Sequence, residues 1–146
     1  MPNKANAKYA EWKIWFEKGM PYFQKEVVLI GHSLGGTFLA KYLSENKFPK
    51  KIRATLIVAA PFDTKHRQKS KSLSDFILPK DLHKFDAQGG KLLLYHSKDD
   101  LTVPFADLGK YRAKLKTAIP RIFTNKGHFN QEEFPELARD IKNLYK

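Results

Sequence analysis

The chain contains no cysteine, which excludes a disulfide-stapled scaffold, a thiolate zinc site and a thiol nucleophile. It has no run approaching the roughly 20 apolar residues of a membrane-spanning helix. Its start, Met1 to Lys13, lacks the uninterrupted apolar stretch and small-residue cleavage site of a secretory signal, so the expected compartment is the cytoplasm. Acidic residues are scarce: 15 Asp and Glu stand against 27 Lys and Arg, a formal charge of +12. What remains is the composition of a folding chain, 146 residues with 42% apolar and 13% aromatic. That length predicts a single domain, 1–146, burying roughly 70% of the surface that the unfolded chain exposes.

The positive charge is concentrated between Lys41 and Lys71, where the acidic residues are Glu45 and Asp63. A basic stripe of this kind can face nucleic acid or another anionic partner. Its densest part, Lys65-His66-Arg67-Gln68-Lys69-Ser70-Lys71, has no interleaved aromatic on which bases would stack. It therefore reads as a solvated surface loop, and no specific nucleic-acid partner is expected.

Hydrophobic periodicity alternates between two types. Tyr9, Trp12, Trp15 and Phe16 fall at helical spacing, predicting an amphipathic helix over 7–18 that buries both tryptophans and ends near Gly19. Val27 to Ile30 is a short apolar run of the kind covered on both faces of a parallel sheet. From Gly35 the pattern is helical again, with Phe38, Leu39, Tyr42 and Leu43 on one side, until Phe48-Pro49. Ala54 to Ala59 reads as a second buried strand, Leu92 to His96 as a third and Arg121 to Thr124 as a fourth. Between the second and third, Asp63 to Gly90 reads as a long excursion with short helices. Phe105, Leu108, Tyr111 and Leu115 trace one further helix face. Phe134, Leu137, Ala138, Ile141, Leu144 and Tyr145 trace the last and clearest. Alternating helices and buried strands predict an α/β fold: a mainly parallel sheet with helices on both faces.

The first strand runs directly into Gly31-His32-Ser33-Leu34-Gly35-Gly36 and then into a helix, the strand, sharp turn and helix context of a G-x-S-x-G nucleophile elbow. Gly31 and Gly35 are expected to leave room for a strained turn that lifts Ser33 Oγ above the strand ends. A serine hydroxyl is a poor nucleophile until a base takes its proton, so an imidazole and an acid are required later in the chain. The third strand leads to Asp99-Asp100-Leu101-Thr102-Val103-Pro104, and the fourth to Gly127-His128-Phe129. Both put chemistry at strand C-termini, where open α/β sheets bind ligands. The order Ser, Asp, His is that of α/β-hydrolases.

Gly31-His32-Ser33-Leu34-Gly35-Gly36, Asp100-Leu101-Thr102-Val103-Pro104 and Gly127-His128-Phe129 resemble the small serine hydrolases of the retinoblastoma-binding protein 9 type, a compact branch of the α/β-hydrolase superfamily. The resemblance spans nearly the whole chain and includes Met1-Pro2-Asn3 with the downstream Trp12. It implies a three-layer α/β-hydrolase-like sandwich and a triad of Ser33, His128 and Asp100. Asp100 is chosen over Asp99 because the family's acid precedes x-x-V-P. It also implies an oxyanion donor in the N–H of Leu34, and a small ester or amide substrate cleaved without a cofactor. That family begins with two further strands, the first ending in an H-G loop that donates the second oxyanion hydrogen bond. The chain is therefore expected to be N-terminally truncated, with its nucleophile strand an exposed edge open to self-association.

Other residues admit plainer roles. His32, in the variable position of the elbow, and Phe105 are expected to touch substrate. Leu73, Phe76, Ile77 and Leu78, with Phe105, suit either an acyl pocket or ordinary core. Asp99 suits a solvated turn or a hydrogen-bonding support for its loop. His66, His83 and His96 show no metal-ligand spacing, and no metal is expected. Three function classes stay open: a serine hydrolase, a hydrolase-fold protein that binds a partner without turnover, and an anion-binding basic module.

Overall fold

The computed structural model describes residues 1–64 and 75–146. The basic segment from Lys65 to Lys71, with His66, and Leu73 lie outside the described residues. Strands β1 (Glu26–His32), β2 (Lys51–Val58), β3 (Lys91–Ser97) and β4 (Ile119–Phe123) form one parallel sheet in the order β1-β2-β3-β4. Helix α1 (Tyr9–Gly19) precedes β1, α2 (Leu34–Glu45) joins β1 to β2, and α3 (His83–Gln88) lies between β2 and β3. Helix α4 (Ala106–Lys114) joins β3 to β4, and α5 (Pro135–Asn143) follows β4. No described helix is long and apolar enough to cross a membrane.

The apolar runs of β2 and β3 are buried because both faces of the sheet are covered there, whereas on the edge strands Ile30 of β1 and Ile122 of β4 are 49% and 47% exposed, so the first strand is not covered on both faces as expected. On β3, Leu92 and Leu94 pack into the core shared with α1 to α4, whereas Leu93 and Tyr95 pack on the other face with Leu137, Ile141 and Leu144 of the α5 segment. The result is a three-layer arrangement. On the α5 face, Arg121 donates two hydrogen bonds to Asp140 at 2.8 and 2.9 Å, and the Tyr95 hydroxyl donates a third at 2.8 Å.

The tryptophans divide. Trp12 is buried and stacks edge-on against Phe38 and Phe76, but Trp15 is 58% exposed. Helical geometry is the reason: at about 100° per residue, positions 9, 12 and 16 fall within roughly 60° of one another, while 15 lies at the margin of that stripe. Strand β1 is longer than the run Val27–Ile30, because Gly31 and His32 still pair with Ile57 and Val58. β4 starts earlier than Arg121 and includes Pro120, which an edge strand tolerates. At the opposite edge, β1 pairs only with β2 among the described residues.

Candidate active site

The elbow begins where β1 ends. Ser33 has φ 51° and ψ −125°, a positive φ that costs a non-glycine residue on the order of 1–3 kcal/mol and must be held by its surroundings. The holding bonds are visible: Ser33 N–H donates to the Val58 carbonyl at 2.8 Å, and the Ser33 carbonyl accepts from the N–H groups of Gly36 and Thr37, starting α2. A Cβ on Gly31 would lie 2.6 Å from the Gly35 carbonyl oxygen, and one on Gly36 would lie 2.6 Å from Ala60 Cβ. Around Gly35 itself a Cβ would meet nothing within 4 Å. The close approach therefore depends on Gly31 and Gly36 and not on Gly35, because Gly36 is the residue where α2 presses onto the end of β2. Ser33 and Leu34 are partly exposed, and the Leu34 N–H opens the first turn of α2, where unpaired donors and the helix dipole favour negative charge.

The β3 end supplies the carboxylate. Asp100 Oδ1 accepts from the N–H groups of Thr102 at 2.7 Å and Val103 at 2.9 Å, leaving Oδ2 to accept from His128 Nδ1 at 2.9 Å. Burial pushes the Asp100 carboxyl up, but the bonds from His128, Val103 and Thr102 outweigh it and hold the group below the usual carboxylate range. The imidazole is thereby the Nδ1–H tautomer, and its bare Nε2 lies 3.0 Å from Ser33 Oγ, ready to accept the hydroxyl proton. Ser33, His128 and Asp100 are thus brought together from three strand ends, although Ser33 and His128 are 95 positions apart in sequence.

Asp99 faces away from this relay. Its Oδ1 accepts from Ser97 Oγ and from Gly127 N–H at 3.0 Å, and the Ser97 hydroxyl bond is the main cause that lowers its pKa. Ser97 Oγ in turn accepts from Lys126 N–H at 3.1 Å, so this pair ties the β3 loop to the loop carrying His128. His32 projects to the same place from the other side: its Nε2 lies 2.7 Å from the His128 carbonyl oxygen, and the two rings are 4.8 Å apart.

His96 is the residue that sequence reasoning missed. It is 2% exposed, its Nε2 donates to the Val103 carbonyl at 3.1 Å and sits 3.8 Å from Asp100 Oδ2, beneath the acid loop. The period of two along β3 carries the signal, since position 96 shares the face of Leu92 and Leu94 and must find a buried partner. Phe105 packs edge-on against that His96 ring at 5.7 Å, behind the acid loop. Phe76 is fully buried core against Tyr9 and Trp12. Ile77 and Leu78 line a cavity of about 380 Å³ with Phe62, Thr64, Lys80 and Lys110, and no triad residue lines it. His83, at the start of α3, is exposed.

The chain is similar to known proteins along nearly its whole length. A family model described as serine hydrolase matches residues 2–141. The rat protein described as serine hydrolase RBBP9 is 24% identical over 144 residues, covering 99% of this chain and 74% of that protein. The crystal structure of the ydeN gene product of B. subtilis superposes with a TM-score of 0.84 at 18% identity, over 99% of this chain and 79% of that one. A structure from Nitrososphaera reported with a study of carboxylesterases superposes with a TM-score of 0.72 at 13% identity, over 97% of this chain and 73% of that one.

Proposed function

This chain belongs to the serine hydrolase family, and from that premise we propose that it cleaves a small ester or amide through a Ser33–His128–Asp100 triad and an acyl-enzyme. The observation that carries the reading is the unbroken relay from Asp100 Oδ2 to His128 Nδ1 at 2.9 Å and from His128 Nε2 to Ser33 Oγ at 3.0 Å. Ser33 Oγ attacks the carbonyl carbon while its proton passes to His128 Nε2. The tetrahedral oxyanion is met by the Leu34 N–H at the head of α2. When the bond to the leaving alcohol or amine breaks, His128 returns the proton to that group. Water then attacks the acyl carbon, giving a proton to His128, and as the Ser33 ester bond breaks His128 returns that proton to Ser33 Oγ and the acid is released. Asp100 holds the imidazole in the Nδ1–H tautomer and stabilises the imidazolium. Of the two residues expected to touch substrate, His32 stands at the mouth of the elbow with its ring 4.8 Å from that of His128, whereas Phe105 packs against the buried His96 ring and is assigned no substrate contact.

The test is covalent labelling with a fluorophosphonate, read by intact mass, alongside hydrolysis of a short-chain nitrophenyl ester. One adduct is expected, absent in Ser33→Ala, and His128→Ala should lose ester hydrolysis while keeping its fold. Full activity in either variant would show the triad assignment to be wrong.

A second reading is favoured by the outer edge of β1, which has no partner strand among the described residues. Under it the chain is an impaired hydrolase that binds protein, through strand pairing at that edge or with a second copy of itself. A folded chain that takes no label but changes sedimentation with concentration would favour this reading over the first.

A further inference from the structure

We propose that His32 is a positioning residue for the base: it donates Nε2–H to the His128 main-chain carbonyl and so fixes the turn that presents the imidazole to Ser33. The inference rests on the triad reading above and adds to it a residue that acts through His128.

The argument starts from the turn. His128 is the third residue of a four-residue turn closed by Phe129 N–H donating to the Lys126 carbonyl at 3.0 Å. Gly127 has φ 52°, which glycine adopts freely, but Phe129 has φ 54°, so the backbone just after His128 holds a conformation that needs outside support. Support from the β3 side reaches the residues before it: Ser97 Oγ holds Lys126 N–H and Asp99 Oδ1 holds Gly127 N–H. Neither touches His128 itself. Its side chain is held at Nδ1 by Asp100, and its main chain is held by His32 at 2.7 Å.

His32 is well placed for this task because it is rigidly carried. It is the last residue of β1, in register with Val58, and the next residue is pinned by Ser33 N–H to the Val58 carbonyl. One short stretch of backbone thus carries both the nucleophile and the donor that grips the base, across 96 residues of sequence. Anything that moves the elbow moves Ser33 Oγ and the anchor of His128 together, which preserves the 3.0 Å separation between them.

The chemistry of the partner decides the tautomer. A carbonyl oxygen only accepts, so His32 must carry its proton on Nε2, the opposite assignment from His128. The ring contact adds a steric restraint: with centroids 4.8 Å apart and a 48° tilt, the His32 ring limits the room in which the His128 imidazole can turn.

The experiment pairs a spectrum with kinetics on the full chain. Imidazole ¹⁵N NMR should show protonated Nε2 and bare Nδ1 for His32, and the reverse for His128. His32→Ala should lower kcat for the nitrophenyl ester about 10- to 100-fold with KM little changed, since a loosened base is a geometric fault felt in the chemical step. His32→Gln, whose amide N–H reaches the position of Nε2, should recover most of the loss, and thermal denaturation should show all three forms folded. An Nδ1–H tautomer at His32, or an Ala variant with unchanged kcat, would overturn the proposal. So would a loss confined to KM, which would mark His32 as a substrate contact alone. If no form hydrolyses ester, the triad reading fails separately. The spectrum then still decides: exchange broadening of the His128 Nδ1–H in His32→Ala supports the brace, and an unchanged signal refutes it.

Discussion

Asp99 and Asp100 are adjacent acids with different tasks, and exchanging each for its amide separates them. In Asp100→Asn, the side-chain oxygen can keep the N–H groups of Thr102 and Val103, which hold Oδ1 at 2.7 and 2.9 Å. The new NH₂ then faces His128 Nδ1, where the carboxylate Oδ2 had accepted at 2.9 Å. Two donors cannot share that contact, so the imidazole must place its proton on Nε2, the atom that has to accept from Ser33. A wrong tautomer of this kind costs about 10⁴-fold in kcat, or about 5.4 kcal/mol of transition-state stabilisation. In Asp99→Asn the oxygen that accepts from Gly127 N–H at 3.0 Å survives, and so does an acceptor for Ser97 Oγ. The expected loss there is within about threefold, because two charge-assisted bonds become neutral while the loop keeps its tie. The assay is steady-state hydrolysis of a short-chain nitrophenyl ester near neutral pH, with circular dichroism to confirm folding. An Asp99→Asn variant as impaired as Asp100→Asn, or an Asp100→Asn variant retaining a tenth of wild-type kcat, would refute the assignment of the acid.

The elbow glycines should respond oppositely in thermal unfolding. Gly36→Ala forces a Cβ to within 2.6 Å of Ala60 Cβ and should destabilise by about 1–3 kcal/mol, whereas Gly35→Ala meets nothing and should stabilise by up to about 1 kcal/mol. Equal shifts would contradict the packing of α2 on β2. The Asp140 carboxyl, lowered chiefly by Arg121 and further by Tyr95 against a burial penalty, titrates lower in the folded chain than in the unfolded one. Over that interval the unfolded state binds more protons. The stabilisation is therefore fully present above the ordinary carboxylate value of about 3.9, and is lost as pH falls through the folded value. Asp140→Asn should lower stability by about 1–2 kcal/mol near pH 7, and the gap from wild type should close as pH falls from the ordinary carboxylate value through the lower folded one. A gap that persists into strong acid would mean that Asp140 does not dock the α5 segment through its charge.

Much of the site was legible without a structure because its signals are local. A strand that runs into Gly31-His32-Ser33-Leu34-Gly35-Gly36 and then a helix specifies an elbow, since the turn needs glycine where backbone crowds backbone. Asp100 and His128 each follow a strand of one parallel sheet, and in such a sheet the strand C-termini share one edge, so their convergence follows from topology. Two nearly continuous apolar faces on the strands likewise demanded helices on both sides.

What the sequence determined by itself was therefore the order of elements, the sharp elbow between the first strand and its helix, and the set of chemical groups delivered to the sheet's C-terminal end. Tertiary structure alone decided which of those groups touch. Trp12 is core because Phe38 and Phe76 pack against it, while Trp15, at the margin of the same helix stripe, is left 58% exposed. Gly36, and not Gly35, is indispensable to the elbow because that is where α2 meets Ala60. His96 lies under the acid, and His32 holds the carbonyl of His128, through contacts at 3.8 and 2.7 Å. Periodicity tells a side chain which face it occupies, but its partner across the sheet depends on register, helix placement and loop height. Those are properties of the packed whole, fixed to fractions of an ångström only when the core closes.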